Sequence, residues 1–135
     1  CSGGNVSPDL AWSGAPEGTR SFALTLYDPD APTGSGFWHW VVVDIPGDAT
    51  ALPAGAGTDA DALPAGSRQM RTDAGAPGYL GPCPPPGPAH RYVFTLTALK
   101  ANTIDLPVDA SAAMVGYMVG ANALGAATLT VNYGR

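Results

Sequence analysis

Two histidines and two aspartates are the side chains of this sequence best suited to chemistry. Asp28 and Asp30 flank a proline directly after a segment of alternating apolar residues, and His39 and His90 lie at the start of two further segments. Loops at strand ends are where small binding sites usually form, so these positions favour a shared site. Taken singly, each residue is more often structural, because a histidine can be satisfied within a sheet and an aspartate can cap a turn.

A proline-rich run precedes the second histidine. Cys83-Pro84-Pro85-Pro86-Gly87-Pro88 leads into His90. Proline has no N–H, and consecutive prolines keep a stiff, extended backbone that loses little entropy when a ligand binds. We expect this run to form a rigid lip beside the site.

Three segments that must position these residues have the pattern of β-strands. Apolar residues recur at every second position in Ser21–Asp28, which places the aspartate on the apolar face at the rim of the core. Phe37–Ile45 is aromatic and β-branched on both faces, which is typical of a central strand covered on two sides. His90–Leu99 alternates again, with its histidine on the aromatic face. Burial on both sides of one strand predicts two layers.

The last third of the chain predicts one helix and one short strand. Apolar residues recur at helical spacing over 111–124, after Asp109 or Ser111 as the cap. The predicted buried face consists of Met114, Tyr117, Ala121 and Leu124. Thr128–Tyr133 follows as a strand, and no alternation of strands and helices predicts a parallel nucleotide-binding sheet.

A long connection joins the second and third of these strands. Gly47–Gly81 is rich in Ala, Gly, Pro and Asp and has no sustained period. Since connections of this length in small domains are usually functional or partly disordered, we expect an ordered binding loop.

Length and charge exclude several classes of function. The 135 residues predict a single domain, 1–135. Six basic residues and a net charge of −5 leave no basic stripe for nucleic acid or for anionic lipid surfaces. The uncharged stretch Ser111–Gly134 is too polar, and lacks the basic flanks, to be a transmembrane span.

Four motifs together resemble one protein family. They are Asn5-Val6-Ser7-Pro8, Asp28-Pro29-Asp30-Ala31-Pro32, Phe37-Trp38-His39-Trp40, and the run from Gly78 to Tyr92 that contains Pro84-Pro85 and His90-Arg91-Tyr92. In this order they resemble the phosphatidylethanolamine-binding proteins, in their bacterial Raf-kinase-inhibitor-like branch. The resemblance implies a mostly β fold: a two-sheet antiparallel β-sandwich with a long Gly/Pro-rich loop and one C-terminal helix.

The resemblance also implies a small anion pocket at one end of the sandwich. Its residues carry over to Asp28, Asp30, His39, Pro85, His90 and Tyr92. Histidine N–H groups and a tyrosine hydroxyl can donate to an anionic oxygen, while the carboxylates fix histidine tautomers or accept from an ammonium group. The expected protein binds phosphate or phosphoethanolamine-like head groups, or inhibits another protein, without catalysis and without a cofactor. The resemblance further favours a cis peptide bond between Ala31 and Pro32.

The sequence departs from the family pattern in three places. The family's first strand, some twenty residues long, has no counterpart before Cys1, which predicts an uncovered sheet edge and favours a homodimer. Gly120-Ala121-Asn122 stands where bacterial members often carry a histidine. The C-terminal helix of the mammalian members has no counterpart after Tyr133, so kinase regulation of the mammalian kind is not implied.

A metal-dependent hydrolase is the alternative. His39 and His90 with Asp28 or Asp30 would form an open metal triad. Against it, the two histidines are far apart in the sequence, no local pair has metal-ligand spacing, and no Gly-x-Ser-x-Gly turn occurs.

The two cysteines leave the redox state and the compartment open. Cys1 and Cys83 are too few for a disulfide framework but can form one bridge, because the resemblance brings both segments to the same end of the sandwich. Alternatively, both stay reduced in a cytoplasmic protein, or Cys1 is the lipid-modified or trimmed start of an exported bacterial protein.

Overall fold

The computed structural model describes residues 3–135, and this part of the chain is mostly β-structure. In chain order its strands and helix are β1 (Leu10–Ala11), β2 (Ser21–Asp28), β3 (Phe37–Pro46), β4 (Ala51–Leu52), β5 (Arg68–Gln69), β6 (His90–Leu99), α1 (Ala112–Asn122) and β7 (Ala123–Tyr133). A short 3₁₀ turn, Ala60–Ala62, lies between β4 and β5. The predicted strands are confirmed, and β7 begins five residues earlier than predicted, directly after the helix.

Two antiparallel sheets and the helix form the layers. The large sheet has the order β5-β3-β2-β6-β7, and β1 pairs with β4 in a small second sheet. The small sheet packs on one face of the large sheet, where Leu52 joins the cluster of Phe22, Leu24 and Phe94. The helix packs on the other face through Val115. The expected fold class is therefore confirmed.

The alternation of side chains along β3 explains why the large sheet is buried on both faces. Trp40 and Val42 belong to the core under the small sheet, whereas Val41 and Val43 belong to the core under the helix. All four are fully buried. Since successive strand residues point to opposite faces, a run of apolar residues fills both cores at once.

The predicted buried face of the helix is wrong. Ser111 does cap the helix, since its hydroxyl accepts the N–H of Met114. The residues that α1 buries are Ala112 and Val115, however, while Met114 and Tyr117 are largely exposed. The helix is apolar on all sides, so its periodicity does not distinguish the face that meets the sheet.

The turn after β2 also differs from the expectation. No cis peptide bond occurs in residues 3–135, so Ala31–Pro32 is trans. The chain reverses instead at Gly34 and Gly36, whose φ angles of 85° and 74° are readily available to glycine. Gly36 also lies so close to the Tyr27 ring that a side chain would not fit there.

The long connection Gly47–Gly81 contains short elements of regular structure. It contains β4, the 3₁₀ turn and β5, and its last residues reach back to β3, where the Leu80 N–H donates to the His39 carbonyl at 3.0 Å. The connection therefore brings its end beside β3, the segment that carries His39.

Among residues 3–135, none of the helical segments has both the length and the hydropathy of a transmembrane span.

Two glycines provide a test of this packing. A methyl group at Gly57 would overlap the Cβ of Tyr79, so we expect Gly57→Ala to lower the free energy of unfolding by about 1–3 kcal/mol. A methyl group at Gly116, in the middle of α1, meets open space, so Gly116→Ala should raise it by about 0.5–1 kcal/mol. Urea unfolding of both variants measures the difference, and equal effects of the two substitutions would contradict this account.

Candidate functional site

A pocket of about 240 Å³ opens where β2 ends and β3 and β6 begin. Five of the six predicted site residues line it: Asp28, His39, Pro85, His90 and Tyr92. The remaining lining residues come from the turn after β2, from Phe37 and from the segment 80–84. The fold thus brings together residues from four separate parts of the sequence.

His90 is held by a buried carboxylate. Its Nδ1 lies 2.8 Å from Oδ2 of Asp28, whose side chain is only 3% exposed. The other oxygen, Oδ1, accepts the backbone N–H of Asp30 at 2.8 Å. A carboxylate only accepts, so Nδ1 carries the proton and Nε2 is left for another partner.

His39 is held by a backbone carbonyl. Its Nδ1 donates to the Leu80 oxygen at 2.8 Å, and its ring lies edge-on to Tyr92. Burial lowers the pKa of His39, and the Leu80 carbonyl, Asp28 and Asp73 oppose this only in part. The ring is therefore neutral at pH 7 with its proton on Nδ1, which leaves a lone pair on Nε2.

The hydroxyl of Tyr92 is buried without a hydrogen bond to any group in residues 3–135. Its pKa is raised, first by burial and then by the negative charge of the nearby Asp28. The hydroxyl lies near this carboxylate, which also raises the pKa of Tyr92 through a hydrogen-bond contact, but the contact falls short of the geometry of a full hydrogen bond. Buried hydroxyls are nearly always paired, so a group without a protein partner indicates a place for water or a ligand.

The proline lip is anchored to the far end of the chain. Pro84 and Pro85 line the pocket, and the Pro84 carbonyl accepts Nε of Arg135 at 2.7 Å. The N–H of Gly87 donates to the Arg135 carbonyl at 3.2 Å. These two bonds lie on either side of Pro85 and Pro86 and tie the lip to Arg135, which follows β7.

Comparison with known proteins identifies the family. The phosphatidylethanolamine-binding protein family model matches residues 1–134. The chain belongs to this family. It is 53% identical over 135 residues to the UPF0098 protein YbcL of Escherichia coli, covering 98% of this chain and 74% of YbcL. It is 52% identical to YbhB of the same organism, covering 97% of this chain and 83% of YbhB.

Two solved structures of phosphatidylethanolamine-binding proteins have the same fold. The crystal structure of Escherichia coli YbcL, described as a new member of the mammalian PEBP family, superposes with a TM-score of 0.96 at 52% identity and covers all of this chain and 84% of YbcL. A homologue from Chlamydia trachomatis, CT736, gives 0.85 at 27% identity, covering 100% of this chain and 85% of that one. The resemblance drawn from the four motifs is thereby confirmed.

Asp30 is the one predicted site residue of this family member that does not line the pocket. Its carboxylate accepts the backbone N–H of Arg91 at 2.8 Å and both Nε and Nη2 of the same side chain, at 3.0 and 2.8 Å. These bonds to Arg91 lower the pKa of Asp30 to about 2. Asp30 therefore joins the turn after β2 to the start of β6, on the outer side of the pocket wall.

Other residues of the site are absent from the sequence prediction. Leu80 fixes His39 through a backbone carbonyl, and Arg135 fixes the lip through its side chain. Backbone acceptors carry no sequence signal, so Leu80 was not predictable. The role of Arg135 could in principle be found from the strand pairing. Because Tyr133 pairs with His90, the residues that follow β7 lie next to the lip.

Two further expectations concern metal and disulfide chemistry. Within residues 3–135 no cluster of three or more His, Cys, Asp or Glu side chains is arranged to hold a metal ion, so the hydrolase alternative gains no support. Cys83 lines the pocket. Its predicted partner Cys1 lies outside the described residues, and the bridge stays a prediction.

The Asp30–Arg91 pair gives a prediction about the titration of Asp30 at low pH. We expect ¹³C NMR to find the Asp30 carboxyl titrating near pH 2, and Arg91→Gln to move its pKa back toward 3.8, because the arginine hydrogen bonds are the main cause of the shift. Since the folded pKa is the lower one, the pair stabilises the fold above pH 3.8, and this contribution is lost as the pH falls through about 2. Arg20→Gln serves as the matched control, and an unchanged Asp30 titration in Arg91→Gln would contradict the assignment.

Proposed function

We propose that this protein binds small oxyanions of the phosphate class in the pocket between His39 and His90, including head groups of the phosphoethanolamine type. Its family membership supports a role in binding. The observation that carries the proposal is the buried, unpaired hydroxyl of Tyr92 between two histidines whose Nδ1 atoms are already bonded. An oxyanion there would accept from the tyrosine hydroxyl and contact both Nε2 atoms.

The charge of the pocket determines how an anion binds. None of the described residues that line it is a lysine or an arginine. A neutral imidazole with its proton on Nδ1, such as that of His39, presents a lone pair at Nε2, which repels a fully ionised oxyanion. Binding therefore requires a proton, taken up by a ring or carried by the ligand, because only N–H or O–H groups can bridge these atoms to oxygen.

The amine of a phosphoethanolamine head group has weaker support than the phosphate. Asp28 is almost fully buried and accepts from His90 and from the Asp30 N–H, while the Asp30 carboxylate is engaged by Arg91. Neither acid offers an unengaged oxygen to an ammonium group, because all four carboxylate oxygens already accept a hydrogen bond. We infer that the phosphate supplies most of the binding free energy.

The first test is the pH dependence of binding. Calorimetry with sulfate, whose charge is constant across the neutral range, isolates the protons that the protein takes up. We expect affinity to fall as the pH rises, by up to about tenfold per pH unit for one proton, because the bound anion raises the histidine pKa above its value in the free protein. A flat profile from pH 5 to 8 would remove the proton-uptake argument.

Ligand arms of the same experiment separate phosphate from amine recognition. Phosphate and phosphoethanolamine should bind with similar affinity, and ethanolamine alone should not bind. Binding of ethanolamine without phosphate would overturn the proposed role of the phosphate. Absence of binding by sulfate, phosphate and phosphoethanolamine alike would overturn the proposed function itself.

The second test uses the hydroxyl that lacks a partner. Tyr92→Phe should lower phosphate affinity about 5–15-fold, since a hydrogen bond contributes about 1–1.5 kcal/mol. The same substitution should leave the protein as stable as before or more stable, because it removes a buried polar atom that no described residue satisfies.

Tyr117→Phe, at an exposed tyrosine of α1, is the matched control and should change neither quantity. A Tyr92→Phe protein that loses stability but keeps its phosphate affinity would show that the hydroxyl serves the fold alone.

A further inference from the structure

The motif Asn5-Val6-Ser7-Pro8 has no residue in the proposed anion pocket. Its asparagine nevertheless forms hydrogen bonds with the segment that holds His39. We infer that Asn5 is a positioning residue that fixes the Nδ1–H tautomer of His39 by immobilising the carbonyl of Leu80. No substrate contact is required of Asn5 in this role.

Asn5 bonds to the residues on either side of Leu80. Its Nδ2 donates to the Tyr79 carbonyl at 3.1 Å, and its Oδ1 accepts the N–H of Gly81 at 2.7 Å. One side-chain amide thus uses its donor and its acceptor on the two flanking peptide groups. These contacts span 74 and 76 positions of the sequence.

Leu80, held between these two bonds, makes both backbone contacts to His39. Its N–H donates to the His39 carbonyl at 3.0 Å, and its own carbonyl accepts from His39 Nδ1 at 2.8 Å. Leu80 therefore fixes both the backbone and the ring of His39. A ring with its proton on Nε2 would leave the Leu80 carbonyl without this donor and set two lone pairs against each other.

Further hydrogen bonds from the same motif hold the segment that Asn5 contacts. Ser7 is fully buried, and its hydroxyl accepts the N–H of Gly57 at 2.9 Å. The Gly57 carbonyl accepts the N–H of Tyr79 at 2.9 Å. Asn5 itself has a φ of 53°, a conformation that asparagine tolerates better than most side chains. Asn5 thus tolerates the positive φ at this position, and its side-chain amide bonds to both residues that flank Leu80.

The test removes the amide without straining the backbone. Asn5→Gly keeps access to positive φ but loses both side-chain bonds. In ¹⁵N NMR spectra of the imidazoles, we expect wild-type His39 to have a protonated Nδ1 and an unprotonated Nε2. In Asn5→Gly, both His39 signals should move toward the average of the two tautomers, whereas the His90 signals should stay in place because Asp28 holds that ring.

Two further variants separate positioning from a general loss of structure. Asn5→Asp retains an oxygen acceptor for the Gly81 N–H, so its His39 signals should lie closer to the wild-type values than those of Asn5→Gly. Asn102→Gly, at an exposed loop position beyond the opposite end of β6, should leave both histidines unchanged. An Asn5→Gly spectrum with unaltered His39 signals, or with equal changes at His90, would overturn the inference.

The effect on ligand affinity rests on the proposed function and is measured separately. Phosphate affinity of Asn5→Gly should fall several-fold, with the loss confined to the pH range in which His39 is neutral. If wild-type protein does not bind phosphate while the tautomer responds as described, the proposed function fails and the positioning role stands. If phosphate binds but Asn5→Gly neither shifts the tautomer nor weakens binding, the positioning role fails alone.

Discussion

The site depends on one buried carboxylate. Asp28 ends the central strand β2, and its side chain is 3% exposed. A carboxylate in such a place destabilises the fold unless it is hydrogen-bonded, and Asp28 meets this requirement with a ring N–H of His90 and the backbone N–H of Asp30. One group therefore orients a pocket residue on β6 and the turn that forms part of the pocket wall.

The two histidines are held by acceptors of different kinds, and this gives them different parts. Asp28 places a negative charge beside the Nδ1–H of His90. His39 has a neutral carbonyl as its partner, and its burial lowers its pKa. A ligand that delivers negative charge between the rings meets one histidine already paired with a charge and one held neutral by its surroundings.

Much of this arrangement was predictable from the sequence, and the remainder has physical reasons for being hidden. Alternation predicted the bounds of β2 and β6, because apolar residues at every second position are typical of a strand. The motifs assigned six residues to one pocket, and five of them line it. The buried face of α1 was not predictable, because a helix that is apolar on all sides gives no periodic signal. The orientation of Asp30 was also hidden, since its competing partner Arg91 lies on another strand, 61 positions away.

A protein with a net charge of −5 is an unexpected host for the proposed anion, and the construction of the pocket resolves the difficulty. Its walls include prolines, Phe37 and Leu80, which are apolar and supply no side-chain donors. In such surroundings a hydrogen bond from an imidazole or a tyrosine hydroxyl is stronger than in water, and long-range repulsion from surface carboxylates is screened by salt. Recognition by short, directed hydrogen bonds rather than by lysine or arginine charge favours an oxyanion that carries a proton, because such a ligand can donate to one Nε2 lone pair while it accepts from the Tyr92 hydroxyl. The selectivity of the pocket is then a matter of donor and acceptor geometry, which the carboxylate of Asp28 and the carbonyl of Leu80 set before any ligand arrives.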